Sequence, residues 1–291
     1  MATIIEEIKS EFRKGNMLSR IIIINVAVFL IVNIVRLILY VSGNTFVFDE
    51  FVHWLAMPVN PAILLFKPWT LLTHLFLQIE IGHLFFNMLT LYWFGKIYQE
   101  YLGNTKLLPT YIFGGITGGL LSILAFYFLP NVDGYNLGAS AGVLAVVVAT
   151  ATLLPDYTIS LIFIGPVRLK YIALVLVGID LISIANNDHT AHIAHIGGAI
   201  YGYFYIRQLQ KGTDWSNGFN NLMEKINSLF KPKPKIMVVH KKARPLTDEE
   251  FSDYKKNKQV VVDRILDKIS KSGYESLSKE EKEILFKISK E

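Results

Sequence analysis

Six runs of mostly apolar residues occupy the first 210 residues of the chain, and shorter polar segments separate them. A helix that crosses a bilayer needs roughly 20 largely apolar residues. The pattern predicts membrane-spanning helices over residues 21–41, 84–98, 107–129, 138–154, 169–184 and 191–207. Several of these runs are shorter than a full crossing, which is typical of helices that begin below the membrane surface around a wet cavity.

Two segments between the first two spans do not fit this pattern. Residues 43–67 are mixed and aromatic and contain Pro58 and Pro61, so we interpret them as a structured loop at the membrane interface. Residues 69–77 are apolar but too short to span, and they predict a loop helix ahead of the second span.

Beyond the sixth span, apolar residues recur at alternating steps of four and three, which predicts an amphipathic helix. Its apolar face consists of Trp215, Phe219, Leu222, Ile226 and Leu229. Two alternatives stay open for this helix, one lying in the plane of the membrane and one packed on its own tail. From Lys231 to Arg244 the chain has basic residues and no acidic one, so this stretch either binds anionic lipids or is a solvated linker.

Composition agrees with a membrane domain that has soluble flanks. Hydrophobic residues make up 52% of the chain and charged residues 18%, and the mean hydropathy is +0.38. Lysines and arginines flank the spans on one side, whereas the opposite loops hold only Lys67, so the positive-inside rule predicts that both termini are cytoplasmic. The net charge of +5 therefore reflects topology and lipid contact, and we expect no binding to nucleic acid. The absence of cysteine excludes a cysteine nucleophile.

The chain is thereby predicted to have four parts. Residues 1–20 form a cytoplasmic N-terminal segment and residues 21–210 a six-helix membrane domain. Residues 211–245 form the amphipathic helix and polybasic linker. Residues 246–291 form a small cytoplasmic helical hairpin with a break at Gly273, and Ser278 and Glu281 have capping-box spacing for its second helix.

A serine and a histidine at the starts of two spans carry the candidate chemistry. Ser140 lies in Gly138-Ala139-Ser140-Ala141-Gly142 and His195 lies in Ala194-His195-Ile196-Gly197-Gly198. Both spans run from outside to inside, and a rise of about 1.5 Å per residue places the two side chains at depths that differ by about 5–8 Å. A histidine activates a serine by taking its proton. Because no acidic residue is evidently placed to orient the imidazole, we predict a Ser-His dyad that hydrolyses peptide bonds.

Small residues predict that these two spans pack closely. Ala141, Ala145 and Ala149 recur at steps of four on the fourth span, and Gly198 and Gly202 form a matching pair on the sixth. Small residues at this spacing let membrane helices approach until their backbones touch. Such a contact would hold the base and the nucleophile in register.

A second histidine begins the second span, in Gly82-His83-Leu84-Phe85-Phe86-Asn87-Met88. On a helix His83 and Asn87 share one face. Polar side chains in a span tend to face a functional interior. Their donors could stabilise an anionic tetrahedral intermediate together with the backbone N–H of Ser140, although an isolated pair of this kind would also fit an interhelical hydrogen bond.

These three motifs, in this order and spacing, resemble those of the rhomboid intramembrane serine proteases. The resemblance covers about residues 69–207 and extends to residue 21 through the six-span arrangement. It implies an all-α membrane protein with a six-transmembrane-helix rhomboid-like bundle, in which Ser140 is the nucleophile, His195 the general base, and His83 and Asn87 line the oxyanion hole. It also implies a serine endopeptidase that cleaves transmembrane protein substrates near their outer ends, at small residues, without a metal or other cofactor.

Three positions depart from the pattern of that family. Ala141 follows the serine where glycine is frequent, Leu144 stands where an aromatic residue often packs on the histidine, and Thr70 follows Trp69 where the family usually has Trp-Arg. These departures bear on turnover and loop detail more than on the class of reaction. The alternative function is a catalytically inactive rhomboid-like factor that binds membrane proteins; such proteins usually lack the serine or the histidine.

Two other sets of residues suggest competing functions. His189, His192 and His195 recur every three residues as in some metal sites, but on a helix they spread over about 120° and no glutamate stands between them. Asp180 in the fifth span is a buried-type charge that suggests transport. Because no repeat of broken helices accompanies it, we interpret Asp180 as hydrogen-bonded near the outer end of that span.

The N-terminal residues show no cleavable signal and no evident transit peptide. We therefore expect a multi-pass protein of a bacterial cytoplasmic membrane.

Overall fold

A computed structural model of the chain describes residues 15–129, 132–161, 164–185, 189–230 and 247–288, which are mostly helical. Residue contacts divide the chain into two compact units at the junction between residues 232 and 233. The described helices of the first unit are, in chain order, α1 Met17–Val41, α2 Thr45–Leu55, α3 Pro61–Leu64, α4 Thr70–Thr73, α5 Ile81–Leu102, α6 Leu107–Phe128, α7 Ser140–Leu153, α8 Leu169–Ser183, α9 His189–Gln210 and α10 Ser216–Phe230.

Each of the six apolar runs is helical in the structure, as α1 and α5 to α9, and the predicted bounds differ from the observed ones by at most four residues. Among the described residues, α1 and α6 are by themselves long and apolar enough to cross a membrane. A third candidate joins residues 70–76 to α5 through a bend of 93°. Helix α7 is apolar but has only 14 residues, which at a rise of 1.5 Å per residue is about 20 Å.

The segment between α1 and α5 is folded, as the interpretation of residues 43–67 as a structured loop predicts. It holds α2, α3, and the strand β1 Met57–Pro58, and residues 69–77 contain α4 and the 3-10 turn His74–Phe76. Strand β1 pairs in antiparallel fashion with β2 Tyr135–Asn136, so the loop is bound to the chain just ahead of α7. A second antiparallel pair, β3 Thr158–Leu161 with β4 Gly165–Arg168, joins α7 to α8.

Helix α7 lies at the centre of the first unit, packed against α6 and α9. A Cβ atom on Gly198 would lie 2.1 Å from the backbone oxygen of Ala141, and one on Gly202 would lie 2.3 Å from that of Ala145. Helix α6 packs equally closely on α7: a Cβ atom on Gly114 would lie 2.2 Å from the Cβ of Ala145. Since only glycine permits these approaches, the small-residue contact between the fourth and sixth predicted spans is confirmed.

Helix α10, the last described helix of the first unit, packs against α6 near its N-terminal end. The Phe219 ring lies 5.7 Å from that of Phe113 on α6. Further along the helix, Leu222, Ile226 and Leu229 are exposed. The structure thus packs the start of the amphipathic helix on α6, and the two alternatives for the rest of its apolar face stay predictions.

The described part of the second unit contains α11 Asp248–Ser272 and α12 Lys279–Ile288. A capping box of Thr247 and Glu250 begins α11. Ile265 on α11 and Leu277 in the connection between the helices are both buried, and an ion pair of 2.8 Å between Lys268 and Glu281 joins the two helices. The predicted helical hairpin and its break at Gly273 are therefore present. The polybasic stretch from Lys231 to Arg244 lies outside the described residues, and the division into four parts stays a prediction.

Candidate active site

The predicted nucleophile and base meet in the structure. The Oγ of Ser140 lies 2.6 Å from the Nε2 of His195, which is hydrogen-bond distance. Ser140 is the first residue of α7, and His195 lies in the second turn of α9. The close backbone packing of these two helices brings together two side chains that are 55 residues apart.

The turn before Ser140 depends on Gly138. Its φ of 122° belongs to a region that favours glycine, and its N–H donates to the backbone oxygen of His74 at 2.9 Å. A Cβ atom at this position would lie 3.0 Å from the Cε1 of His83. The glycine therefore both aims the start of α7 and makes room for the His83 ring beside Ser140.

A carboxylate contacts the other nitrogen of the His195 ring. The Oδ1 of Asp180, on α8, lies 2.7 Å from the Nδ1 of His195 and 2.8 Å from the Nδ1 of His192. The expectation that no acidic residue orients the imidazole is therefore wrong. The contact depends on how α8 packs against α9, and the only sign of it in the sequence was a charged residue inside an apolar run.

The histidines considered from the sequence as metal ligands do not all come together: Asp180 takes the place of His189 beside His192 and His195. The Nδ1 of His189 faces the backbone oxygen of Ile184, so this histidine is turned away from the other two. Asp180, His192 and His195 present one donor atom each within 4.8 Å of one another, close enough for one metal ion to contact all three. The two histidine–carboxylate hydrogen bonds account for the same closeness.

A cavity of about 430 Å³ opens over the pair. Ser140, His195, His83 and His192 line it together with charged and polar residues from α1, from β2 and from the position just before α5. Those additional polar residues are Arg36, Glu80, Tyr135 and Asn136. Their presence means that a water molecule or a peptide backbone would find polar partners in this cavity.

The second predicted donor, Asn87, lies one helical turn beyond His83 and is buried. Its Nδ2 donates to the Oε1 of Gln78 at 2.8 Å, and the Nε2 of Gln78 donates to the Oδ1 of Asn25 at 3.0 Å. The Nδ2 of Asn25 in turn donates to the hydroxyl of Tyr111 at 3.4 Å, and this hydroxyl donates to the backbone oxygen of Leu75 at 2.6 Å. The structure thus brings His83 to the cavity, whereas Asn87 is not among the residues that line it and is held by Gln78.

Comparison with known proteins identifies the class to which this fold and site belong. A family model described as the Rhomboid domain matches residues 65–211, just over half of the chain. The chain is therefore a member of the rhomboid family, and the family resemblance inferred from the three motifs is confirmed. A second family model, described as a family of unknown function (DUF6576), matches residues 247–291.

The curated relatives are similar over part of their length. The chain is 30% identical over 157 residues to RHOMBOID-like protein 12, mitochondrial, of Arabidopsis thaliana, which is 49% of this chain and 47% of that protein. It is 31% identical over 137 residues to rhomboid protease GluP of Bacillus subtilis, 47% of this chain and 25% of that protein. It is 27% identical over 116 residues to rhomboid protease GlpG of Salmonella choleraesuis, 34% of this chain and 42% of that protein. The chain therefore spans less than half the length of each of these relatives.

Proposed function

We propose that this chain is an intramembrane serine endopeptidase that hydrolyses peptide bonds of transmembrane protein substrates near the outer membrane face. The observation that carries the proposal is the 2.6 Å contact between Ser140 Oγ and His195 Nε2 at the floor of a polar cavity. Two relatives named as rhomboid proteases support the class of reaction.

In the proposed reaction Ser140 attacks the carbonyl carbon of the scissile bond. His195 takes the hydroxyl proton as the Oγ–C bond forms, and then gives this proton to the leaving amine. Water then attacks the acyl-enzyme: His195 takes a proton from this water as the new C–O bond forms, and gives it to the Oγ of Ser140 as the ester bond breaks. The contact distance between the two side chains is already that of proton transfer through a hydrogen bond.

The oxyanion of the tetrahedral intermediate needs donors on the side of Ser140 away from His195. Helix α7 begins at Ser140, so its first backbone N–H groups have no partner within the helix and carry the positive end of the helix dipole. We assign His83 as a side-chain donor because its ring lies beside Gly138 in the same cavity. Asn87 has a second amide hydrogen beyond the one donated to Gln78, and we assign it the same role.

We further propose that α1 and α5 to α9 all cross the bilayer, with both termini in the cytoplasm. The distribution of lysine and arginine supports this orientation. At about 20 Å, α7 is shorter than the roughly 30 Å hydrocarbon core. A helix of that length with its end at the cytoplasmic face would hold Ser140 below the outer surface, where a transmembrane substrate can reach it.

The membrane itself is the other proposed partner. The exposed apolar residues of α10 support a helix lying on the cytoplasmic leaflet. The basic residues from Lys231 to Arg244 would add attraction to anionic lipids of about 1 kcal/mol per charge near the surface. We propose a bacterial cytoplasmic membrane as the location, and no nucleic-acid partner.

The test compares the wild-type chain with Ser140→Ala in proteoliposomes that contain a transmembrane substrate with a small residue near its outer end. We expect Ser140→Ala to reduce cleavage by at least about 10³-fold, because no other hydroxyl contacts His195 among the described residues. Ser160→Ala, which changes an exposed serine between α7 and α8, is the matched control and should cleave at the wild-type rate.

Cleavage that survives the Ser140 change would contradict the proposal. If the wild type neither cleaves nor forms a covalent adduct with a serine-directed fluorophosphonate, the chain is instead an inactive rhomboid-like protein that binds membrane proteins.

A further inference from the structure

Asp180 is the one acidic residue of the largely apolar helix α8, and it is turned inward. Its neighbours Ile179, Leu181 and Ile182 are exposed on the outer surface of α8, whereas Asp180 is 8% exposed. A carboxylate in such a position is costly unless it is paired. In the described structure both of its partners are imidazoles of α9, and one of them is the proposed base.

The carboxylate determines which nitrogen of His195 carries the proton. An ionised carboxylate only accepts hydrogen bonds, so the Nδ1 of neutral His195 must be the protonated nitrogen at 2.7 Å from Asp180. The Nε2 then has a free lone pair and faces the Ser140 hydroxyl at 2.6 Å. This is the tautomer that a general base requires, and the opposite tautomer would present an N–H to the serine.

We propose that Asp180 is a positioning residue for the reaction, making the site a Ser140–His195–Asp180 triad in place of a dyad. This inference rests on the proposed function. Asp180 acts through His195 in two ways, by selecting the tautomer and by stabilising the imidazolium that forms when His195 takes the serine proton. Asp180 stays ionised throughout, because the proton passes from Ser140 to Nε2 and from there to the leaving amine.

His192 gives this carboxylate its orientation. Its ring stands at 87° to the ring of His195 with the centroids 5.9 Å apart, and both rings direct Nδ1 to the same oxygen of Asp180. Two donors from one helix hold the carboxylate against α9 more firmly than one. We therefore assign His192 a supporting role at the same position, and expect His192→Ala to reduce turnover less than a change of Asp180 does.

The decisive experiment measures kcat and KM of the full chain in proteoliposomes, with a chelator present throughout. Asp180→Asn keeps the size of the side chain and removes its charge. We expect kcat to fall by about 10²–10⁴-fold and KM to stay within about threefold, because Asp180 contacts no substrate. Asp180→Glu keeps the charge, and its kcat should be at least about tenfold higher than that of Asp180→Asn. A purely structural role would not predict a higher kcat for Asp180→Glu than for Asp180→Asn.

Two further variants complete the design. Asp156→Asn makes the same chemical change at an exposed aspartate in the loop between α7 and α8 and should have wild-type kinetics. Asp180→Ser takes the place of Asp180→Asn if the latter does not fold, and should be equally slow. The rate at which a fluorophosphonate labels Ser140 gives a second readout that does not depend on the substrate.

The outcomes separate this inference from the proposed function. If the wild type cleaves, Ser140→Ala does not, and the uncharged variants of Asp180 keep kcat within about threefold of wild type, the role of Asp180 is overturned and the serine protease remains. If the wild type shows neither cleavage nor labelling, both fall together. A loss confined to KM would also overturn the positioning role.

Discussion

At the scale of single residues, the site depends on which groups have hydrogen-bond partners. Asp180, Asn87 and Gln78 are buried and paired. Asn136 is different: it is 5% exposed, lines the cavity, and neither its Oδ1 nor its Nδ2 has a partner among the described residues. A buried polar group without a partner costs about 1–3 kcal/mol.

We therefore expect Asn136→Leu, which has a similar volume, to raise the free energy of unfolding by about 1–3 kcal/mol. Thermal unfolding in detergent is the measurement, with Asn217→Leu at an exposed position of α10 as the control that should show no such gain. A lower unfolding temperature for Asn136→Leu would mean that the amide has a partner, such as bound water, in the membrane.

At the scale of elements, the geometry of the site is set by two helices whose backbones touch. Ser140 and His195 lie on α7 and α9, and the glycines of α9 determine how closely these helices approach. The position that a Cβ of Gly198 would take is already filled by the backbone oxygen of Ala141, which is the neighbour of Ser140. Any side chain there must move the two helices apart.

Gly198→Ala should accordingly lower stability by about 1–3 kcal/mol, as overpacking does, and lower kcat by at least about tenfold because the Ser140–His195 distance increases. The matched control is Gly178→Ala on α8, where an added Cβ meets nothing within 4 Å. Since alanine favours a helix by about 0.5–1 kcal/mol over glycine, the control should be neutral or more stable. Equal stability and equal kcat of Gly198→Ala and Gly178→Ala would contradict the close packing of α7 on α9.

Asp214, which follows α9, joins the ends of three elements through its contacts with Tyr205, Ser216 and Lys106. Burial alone would raise the pKa of Asp214, but hydrogen bonds from Ser216 and Tyr205 and the charge of Lys106 outweigh it and hold the pKa below its ordinary value of 3.8. A lowered pKa in the folded state means that the ionised carboxylate stabilises the fold. This contribution is complete above about pH 3.8 and is lost as the pH falls through the folded-state pKa.

For Asp214→Asn we expect a loss of about 1–2 kcal/mol of stability at pH 7, and a difference from wild type that narrows in acid below pH 3.8. Thermal unfolding of both proteins from about pH 2 to about pH 7 measures this difference in stability. Glu224→Gln on the exposed face of α10 serves as the control. A difference that stays constant across this range would show that charge is not the cause.

At the scale of the whole molecule, the open question is how the helices sit in the membrane. The proposed orientation places the loop after α1 outside and the β3–β4 loop in the cytoplasm. The chain contains no cysteine. Single cysteines can therefore be introduced without a background of native thiols.

We expect a membrane-impermeant maleimide applied to intact cells to label Ser42→Cys and not Ser160→Cys, since both serines are exposed but lie in loops on opposite sides. Permeabilised cells are the control, in which both cysteines should react. Labelling of Ser160→Cys alone in intact cells would show that the orientation is the reverse of the proposed one. Labelling of both cysteines would contradict the proposed membrane crossings.

Much of the molecule followed from local sequence. Apolar runs identified the six helices, because a helix satisfies its own backbone in an apolar medium. Short motifs identified Ser140, His195 and His83, because these residue types were unusual at the starts of apolar helices. Small residues at steps of four identified the contact of α7 with α9. Each of these signals lies within a single helix or a short motif at its start.

Other features were decided by tertiary structure alone. The aspartate was visible in the sequence, but its contact with His195 depends on the rotation of α8 against α9, which no local pattern encodes. The same is true of the chain from Asn87 through Gln78 to Asn25, whose members lie on three separate segments. The sequence by itself determined which helices form and which side chains are candidates for catalysis, since these are local properties. Tertiary packing decided which partners those side chains have, because hydrogen bonds between helices depend on distances that only the folded chain defines.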